Sequence, residues 1–474
     1  MRSRNLLIAI LALTSIASFA ACSNAQSSPQ QQTGSAQATQ PQAVMTPEER
    51  QLYIDAARNS WGFVNSIYRP ATGFAKAHAK YSYVTLWDIA GVMAAHFVAR
   101  DLGFIDDATY DARISKALAT LSTIDLFDRS AFNRIYDAET GRMVDNASQI
   151  STVGAGWSST DIGRLLIWLR VIQTRDPKYA PLAAQIVRRL DMGKVLNGGY
   201  LQGVDVDPKT GSRKAFIETE MGYQQYATTG FSLWGAKIAR DAMDVRANAS
   251  QVNVLGVKLL VDSRGNDRVM SEPYIMLGLE TGYRSPQLRQ QALAVLNAQA
   301  ARHQRTGIVT MVTEDAMPDP PYYFYYYSVY HRGQTFTVEG PGDKLYVEKP
   351  RWVSSKAAFG WNAVLPNAYT QLALRTVQPA RTANGYGSGV YEGTYAPTGV
   401  PSLNTAALIM ESALYKTRGV PILTYASSSP MPPVATPAQA ATSTPTPVTT
   451  PKPAVATPKA VTTQKSTPSK TRRR

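Results

Sequence analysis

Apolar residues along this chain recur with the period of helices, and they do so in two ways. Segments 84–100 and 162–171 are apolar nearly all round, the pattern of a helix enclosed by others. Segments 106–124, 177–191 and 285–303 carry an apolar stripe and a charged face, the pattern of an outer layer. Start and stop signals frame them. Thr46 is placed as an N-cap, Pro47 follows at the first helical position, and Gly103 closes the second helix. Roughly ten helices are expected between residues 47 and 425. Longer segments rich in Gly, aromatics and acids separate them, at 125–158, 197–219, 305–352 and 380–402. Two of these, "FNRIYDAETGRMV" and "GGYLQGVDVDPKTGSRKAFIE", predict β-hairpins. Buried helices within amphipathic ones, joined by alternating short and long loops, describe a mainly α chain folded as an α/α toroid. Its long loops gather on one face and rim a cleft.

The ends differ from this body. "MRSRN" followed by "LLIAILALTSIASFA" is a basic start and a short apolar stretch, which predicts an export signal. "FAAC" resembles a bacterial lipobox and ends at Cys22, the one cysteine of the chain. A lipidated Cys22 is therefore expected, with ordinary cleavage beside a free thiol as the alternative. Residues 23–46 form a Ser/Gln/Ala-rich tether. Residues 426–474 are a Pro/Thr/Lys-rich tail that cannot build a core. With one cysteine, the fold between them is expected to rest on its core and not on disulfides.

Charge changes the picture little. Of a net +15 over 474 residues, seven positive charges lie at or after Lys452 and two are Arg2 and Arg4, which leaves 15 − 7 − 2 = +6. The basicity belongs largely to the ends, so no nucleic-acid partner is expected.

The loops and helix starts share a vocabulary of acids beside aromatic rings. Asp88 follows Trp87, Asp161 follows Trp157, and Glu218 and Glu220 precede Tyr223 and Tyr226. Glu272 opens a helix, Glu314 and Asp315 precede the tyrosines, and Glu392 follows Tyr391. Aromatic faces stack on pyranose rings, and paired carboxylates supply acid and base, or acid and nucleophile, across a glycosidic bond. Glu220 and Glu314 are the expected acid/base pair, with Asp161 as a further catalytic candidate. Asp88, Glu272, Trp87, Trp157, Tyr223, Tyr325 and Tyr327 are the expected substrate contacts. Plain structural readings stand beside these. Asp88 and Asp161 each suit a helix's first turn. Asp161 and Arg164 have ion-pair spacing, Glu272 could merely start a helix, and Glu218 could be a strand-end charge.

Other chemistries fit poorly. His78, His96, His303 and His331 lack metal-ligand spacing, and no cysteine ligand accompanies them. "GYGSGV" fails the nucleotide pattern, "GWSST" is no nucleophile elbow, and "DVDPKTG" lacks the distal glutamate of a calcium loop. No metal or cofactor is expected. The segment "PPYYFYYYSVYHRG" (320–333) is the densest aromatic run. As a strand it puts Tyr323, Tyr325 and Tyr327 on one face and Tyr322, Phe324, Tyr326 and Tyr330 on the other. One face could line the cleft, or both could be packing surfaces.

"YVTLWDIAGVMAAHFVARDLGFI", "SSTDIGRLL", "GYQQYATTGFSLWG", "EPYIMLGLE", "SSKAAFGW" and "NTAALIMESALY" resemble, over about residues 48–420, an uncharacterised bacterial domain family of exported proteins and lipoproteins. That family is grouped with the six-hairpin, glucoamylase-like glycosidases. The resemblance implies an (α/α)6 toroid with a sugar cleft where the inner helices begin. The expectation is a monomeric envelope lipoprotein, exported, anchored to a membrane through Cys22, and cleaving or remodelling a glucan or other polysaccharide. Two alternatives stay open. One is a non-catalytic polysaccharide-binding protein on the same fold. The other is a polysaccharide lyase using Tyr330, His331 and Arg332.

Overall fold

The computed structural model describes residues 45–318, 324–340, 344–345 and 350–428. The expected signal, Cys22 and nearly all of the tether lie outside the described residues, as do Tyr322, Tyr323 and the tail from residue 429. The helices, in chain order, are α1 (Pro47–Ile67), α2 (Leu86–Asp101), α3 (Asp107–Thr123), α4 (Ser159–Arg175), α5 (Ala180–Arg188), α6 (Met192–Val195) and α7 (Tyr223–Leu233). They continue with α8 (Arg240–Met243), α9 (Glu272–Met276), α10 (Pro286–Thr306), α11 (Ser355–Val364), α12 (Ala368–Thr376), α13 (Leu403–Arg418) and α14 (Ile422–Ala426). A π-helical turn, Leu277–Thr281, extends α9.

Six of these form a closed inner ring: α2 packs on α4, α4 on α7, α7 on α9, α9 on α11, α11 on α13, and α13 on α2. The apolar runs explain this. Every residue of α2 except Arg100 is buried, and so is all of α11. The outer helices show stripes instead. α3 buries Tyr110, Ile114, Ala117, Leu118 and Leu121, a three-to-four-residue repeat on one face. α1 covers α13 and α2, α3 covers α2, α5 covers α4, α8 touches α7, α10 touches α9, and α12 covers α11. The result is an (α/α)6 toroid.

One pair is incomplete. The sequence pattern from 220 to 243 predicts continuous helix, but α7 ends at Leu233. Gly235 then adopts φ 79°, which turns the chain. The outer helix that follows, α8, has only four residues. The hairpin Ala249–Val254/Val257–Asp262 comes next in the chain and packs on α10.

Short strands brace the loops where inner helices start. Tyr83–Thr85 pairs with Ile135–Asp137 just before α2. Gly156–Trp157 pairs with Tyr200–Val206 before α4, and Trp352–Ser354 pairs with Gly389–Tyr391 before α11. The tyrosine segment contributes Phe324–His331 to an antiparallel sheet, between Glu314–Ala316 and Gln334–Gly340.

α4 and α7 cross closely because each has a glycine at the contact. A Cβ on Gly230 would lie 2.0 Å from the Gly163 carbonyl oxygen, and one on Gly163 would lie 2.5 Å from Ala227. Backbone cannot move aside as a flexible side chain can. Gly230→Ala is therefore expected to cost about 1–3 kcal/mol in urea unfolding at unchanged m. An unchanged midpoint would mean that the crossing tolerates a methyl group.

Candidate active site

The six inner helices all begin on one face, and most carry a side-chain cap there. Thr85 accepts from the Asp88 N–H, Ser158 from Asp161, Ser354 from Ala357 and Ser402 from Thr405. Each helix start turns partial positive charge toward that face, where a carboxylate is stabilised. The acids predicted for the site collect there.

Glu314 lies near the middle of the cluster. It is only partly buried, and the Tyr223 hydroxyl lies 3.4 Å from its Oε2. Burial, followed by the neighbouring Glu272, pushes the Glu314 carboxyl well above the usual range; Lys356 opposes, while Glu220 and Asp161 add to the rise. Glu314 is therefore the acid of the cluster most strongly biased toward its protonated form. Glu220 is differently placed. Asn266 Nδ2 donates to its Oε2 at 3.0 Å, and Arg268 lies 3.6 Å away. Burial raises Glu220, but Arg268 pulls it back.

On another side sit Asp161 and Glu218. The Thr160 N–H donates to Glu218 at 2.7 Å, and the Ser158 hydroxyl donates to Asp161 at 3.2 Å. Burial first and Glu218 second push the Asp161 carboxyl up to about 7. Burial raises Glu218 as well, and Arg134, paired with Asp205 at 2.6 Å, opposes the rise of both acids. Asp161 does not pair with Arg164, as its spacing suggested. Arg164 lies fully buried, 3.1 Å from Glu411.

Beneath these acids is a polar floor. Glu272 on α9 is ion-paired with Lys356 on α11 and accepts from Asn404 on α13 at 2.9 Å. All three are nearly fully buried. Asp88 is also buried, with the Thr85 hydroxyl donating at 2.7 Å. Glu272 and Asp88 thus support the site from below and present little surface to a ligand.

The aromatic expectations divide. Trp87 touches Tyr223 and Tyr226 edge-on, with Arg164 under its ring at 4.6 Å. Trp157 is buried, donating to the Gln202 carbonyl at 2.7 Å and meeting Phe127 edge-on. It anchors the hairpin at the cleft rim. Tyr325 and Tyr327 are each 1% exposed, so they cannot be stacking walls. Tyr325 stacks on Trp352, and the Tyr327 hydroxyl donates to Glu392 at 2.8 Å. Strand alternation turns the intervening Tyr326 the other way. It pairs in register with Glu314, lies over Arg268 at 4.6 Å, and is partly open.

The lyase constellation does not assemble. His331 is buried, 2.8 Å from Asp267 and 3.4 Å from Glu339, and these acids would oppose the neutralising of a substrate carboxylate. Sequence reasoning missed Arg134, Arg268, Tyr326, Lys356 and Asn404. Alternation of the tyrosine strand could have pointed to Tyr326; the others are brought in from distant segments. Among the described residues no three His, Cys, Asp or Glu side chains are placed to share a metal ion.

Residues 55–419 match the model of a family described as a protein of unknown function, DUF3131, and the chain belongs to that family. Solved structures share its fold. A candidate glucoamylase from Bacteroides caccae superposes with TM-score 0.59 at 14% identity, covering 80% of this chain and 95% of its own. An endo-beta-1,2-glucanase from Chitinophaga pinensis, complexed with sophorotriose and glucose, gives 0.58 at 13%, covering 80% and 94%. One from Talaromyces funiculosus, complexed with beta-1,2-glucan, gives 0.52 at 8%, covering 79% and 85%. No curated protein matches the chain in sequence.

The raised Asp161 has a thermodynamic consequence. The folded state holds that proton more tightly than the unfolded chain, whose aspartates titrate near ~4. The contribution is therefore complete below about pH 4 and lost as pH rises through about 7. Asp161→Asn is uncharged throughout. Its melting temperature should match the parent below about pH 4 and exceed it increasingly as pH rises toward 7, by about 3 °C at pH 8. A gap independent of pH would contradict the raised value.

Proposed function

We propose that the protein is a glycoside hydrolase acting on a glucan, with Glu314 as the general acid. The observation that carries this reading is the place of Glu314 among other acids at the mouth of the ring, its carboxyl raised well above the usual range and its strand position registered against the partly open Tyr326. Protonated Glu314 delivers its proton to the glycosidic oxygen as the bond breaks. Glu220, whose carboxyl the nearby Arg268 at 3.6 Å pulls back toward its charged form, acts as its charged partner, taking a proton from the attacking water or attacking the sugar itself. Asp161 and Glu218, opposite Arg134, bind sugar hydroxyls. Tyr326 offers a ring face to the pyranose, with Tyr223 orienting Glu314.

The fold shared with beta-1,2-glucanases makes that polymer the first substrate to try, within a panel that includes α-1,4- and β-1,3-glucans. Glu314→Gln and Glu220→Gln are each expected to lower reducing-end release about 10²–10⁴-fold, with a melting temperature no lower than the parent's. Full activity in Glu314→Gln would remove it as the acid. Binding of a glucan by the parent protein without any new reducing ends would instead identify a glycan-binding protein.

We also propose that the enzyme works outside the cytoplasm, tethered through a lipid on Cys22. The support is "FAAC" at the end of an apolar leader. None of the described helices is long and apolar enough to cross a membrane. Cys22→Ala should shift the exported protein from the membrane fraction to the soluble one. Unchanged membrane association would contradict the anchor.

A further inference from the structure

A second recess, of about 310 Å³, lies on the side of the strand Phe324–His331 that Tyr327 faces, opposite Tyr326. Its walls include Arg302 and Arg305 from the last turns of α10, together with Arg351, Phe336, Thr335 and Leu255. Leu255 is at the tip of the outer hairpin. Phe336 sits at φ 55°, where the register skips between Ser328↔Thr337 and Tyr330↔Thr335. A bulky residue in left-handed backbone inside a strand marks a place where the chain is held out of its preferred form.

Three guanidinium groups border this recess, and among the described residues one carboxylate answers them. Both terminal nitrogens of Arg302 lie 2.8 Å from Glu392, and one also donates to Thr310 at 2.6 Å, so its fork is used. Arg305 is exposed, with no ion-pair partner among the described residues. Arg351 has no carboxylate partner among them either. Among the described residues its side chain makes a single, long hydrogen bond, 3.5 Å, to the Phe336 carbonyl, and its buried Nε has no acceptor. The carbonyl end of α10 offsets about half a charge. More than one positive charge remains, on two planar forks suited to paired oxygen atoms.

We propose that this recess binds a compact oxyanion, a phosphoryl or carboxylate group, between Arg305 and Arg351. It is chemically opposite to the acidic site, and it stands whether or not that site cleaves glucan. The group could be a free ion or one carried on an acidic sugar chain.

The test is calorimetry and thermal melting of the full chain with inorganic phosphate, with an oligogalacturonide, and with sodium chloride at matched ionic strength. The parent protein should bind phosphate or the uronide and melt higher than in chloride. Arg305→Ala and Arg351→Gln should each weaken that binding about tenfold or more. Arg305 is exposed, so its substitution reads the site without threatening the fold. Tighter binding of the uronide would identify a sugar-borne group, and binding of phosphate alone a free ion. Binding of neither would overturn the proposal. So would binding that survives both substitutions, because it would then belong to the basic C-terminal stretch.

Discussion

Arg164 holds the inner ring together. It is fully buried on α4, 3.1 Å from Glu411 on α13 and 3.9 Å from Glu280 in the π-helical turn after α9. Glu280 accepts from Trp168 at 3.1 Å and from the Tyr226 hydroxyl of α7 at 2.5 Å. Trp87 of α2 lies over the guanidinium. Five of the six inner helices therefore meet at one cation. Two carboxylates face one guanidinium there, and burial pushes both carboxyls up. A buried group of this kind adds little net stability, but removing one partner strands the others without water. It fixes which helices are neighbours.

A second polar layer lies toward the site face. Lys356, Glu272 and Asn404 link α11, α9 and α13. These two layers and the six helix starts set the chemistry above them. Positive helix ends and one buried ammonium allow several acids to gather where bulk water is scarce. Burial first, and the repulsion of the neighbouring acids after it, then push one of them, Glu314, well above the usual carboxyl range. The site thus follows from the ring's architecture and not from a local motif.

The helix pattern already contained the architecture. The all-apolar run at 84–100 and the stripe at 106–124 became inner α2 and outer α3 because burial on all sides and burial on one side leave different spacings. The break at Gly235 was less visible, since a positive φ depends on tertiary context. The acids that gather at the ring's mouth could be picked out because each stands beside an aromatic residue or a helix start in the sequence. Their differing electrostatic surroundings could not, because these depend on cations from remote segments, Arg134, Arg268 and Lys356. Tyr325 and Tyr327 were misassigned by choosing the wrong face of a strand whose two faces are both aromatic. The buried contacts with Trp352 and Glu392 decide it.

The claim that Glu314 is an acid poised over a glycosidic bond is tested most directly by a crystal structure of Glu314→Gln with a bound beta-1,2-gluco-oligosaccharide. A glycosidic oxygen should lie within hydrogen-bond distance of the side chain at position 314, with a sugar ring against Tyr326. A saccharide bound away from these residues, or none bound at saturating concentration, would contradict it.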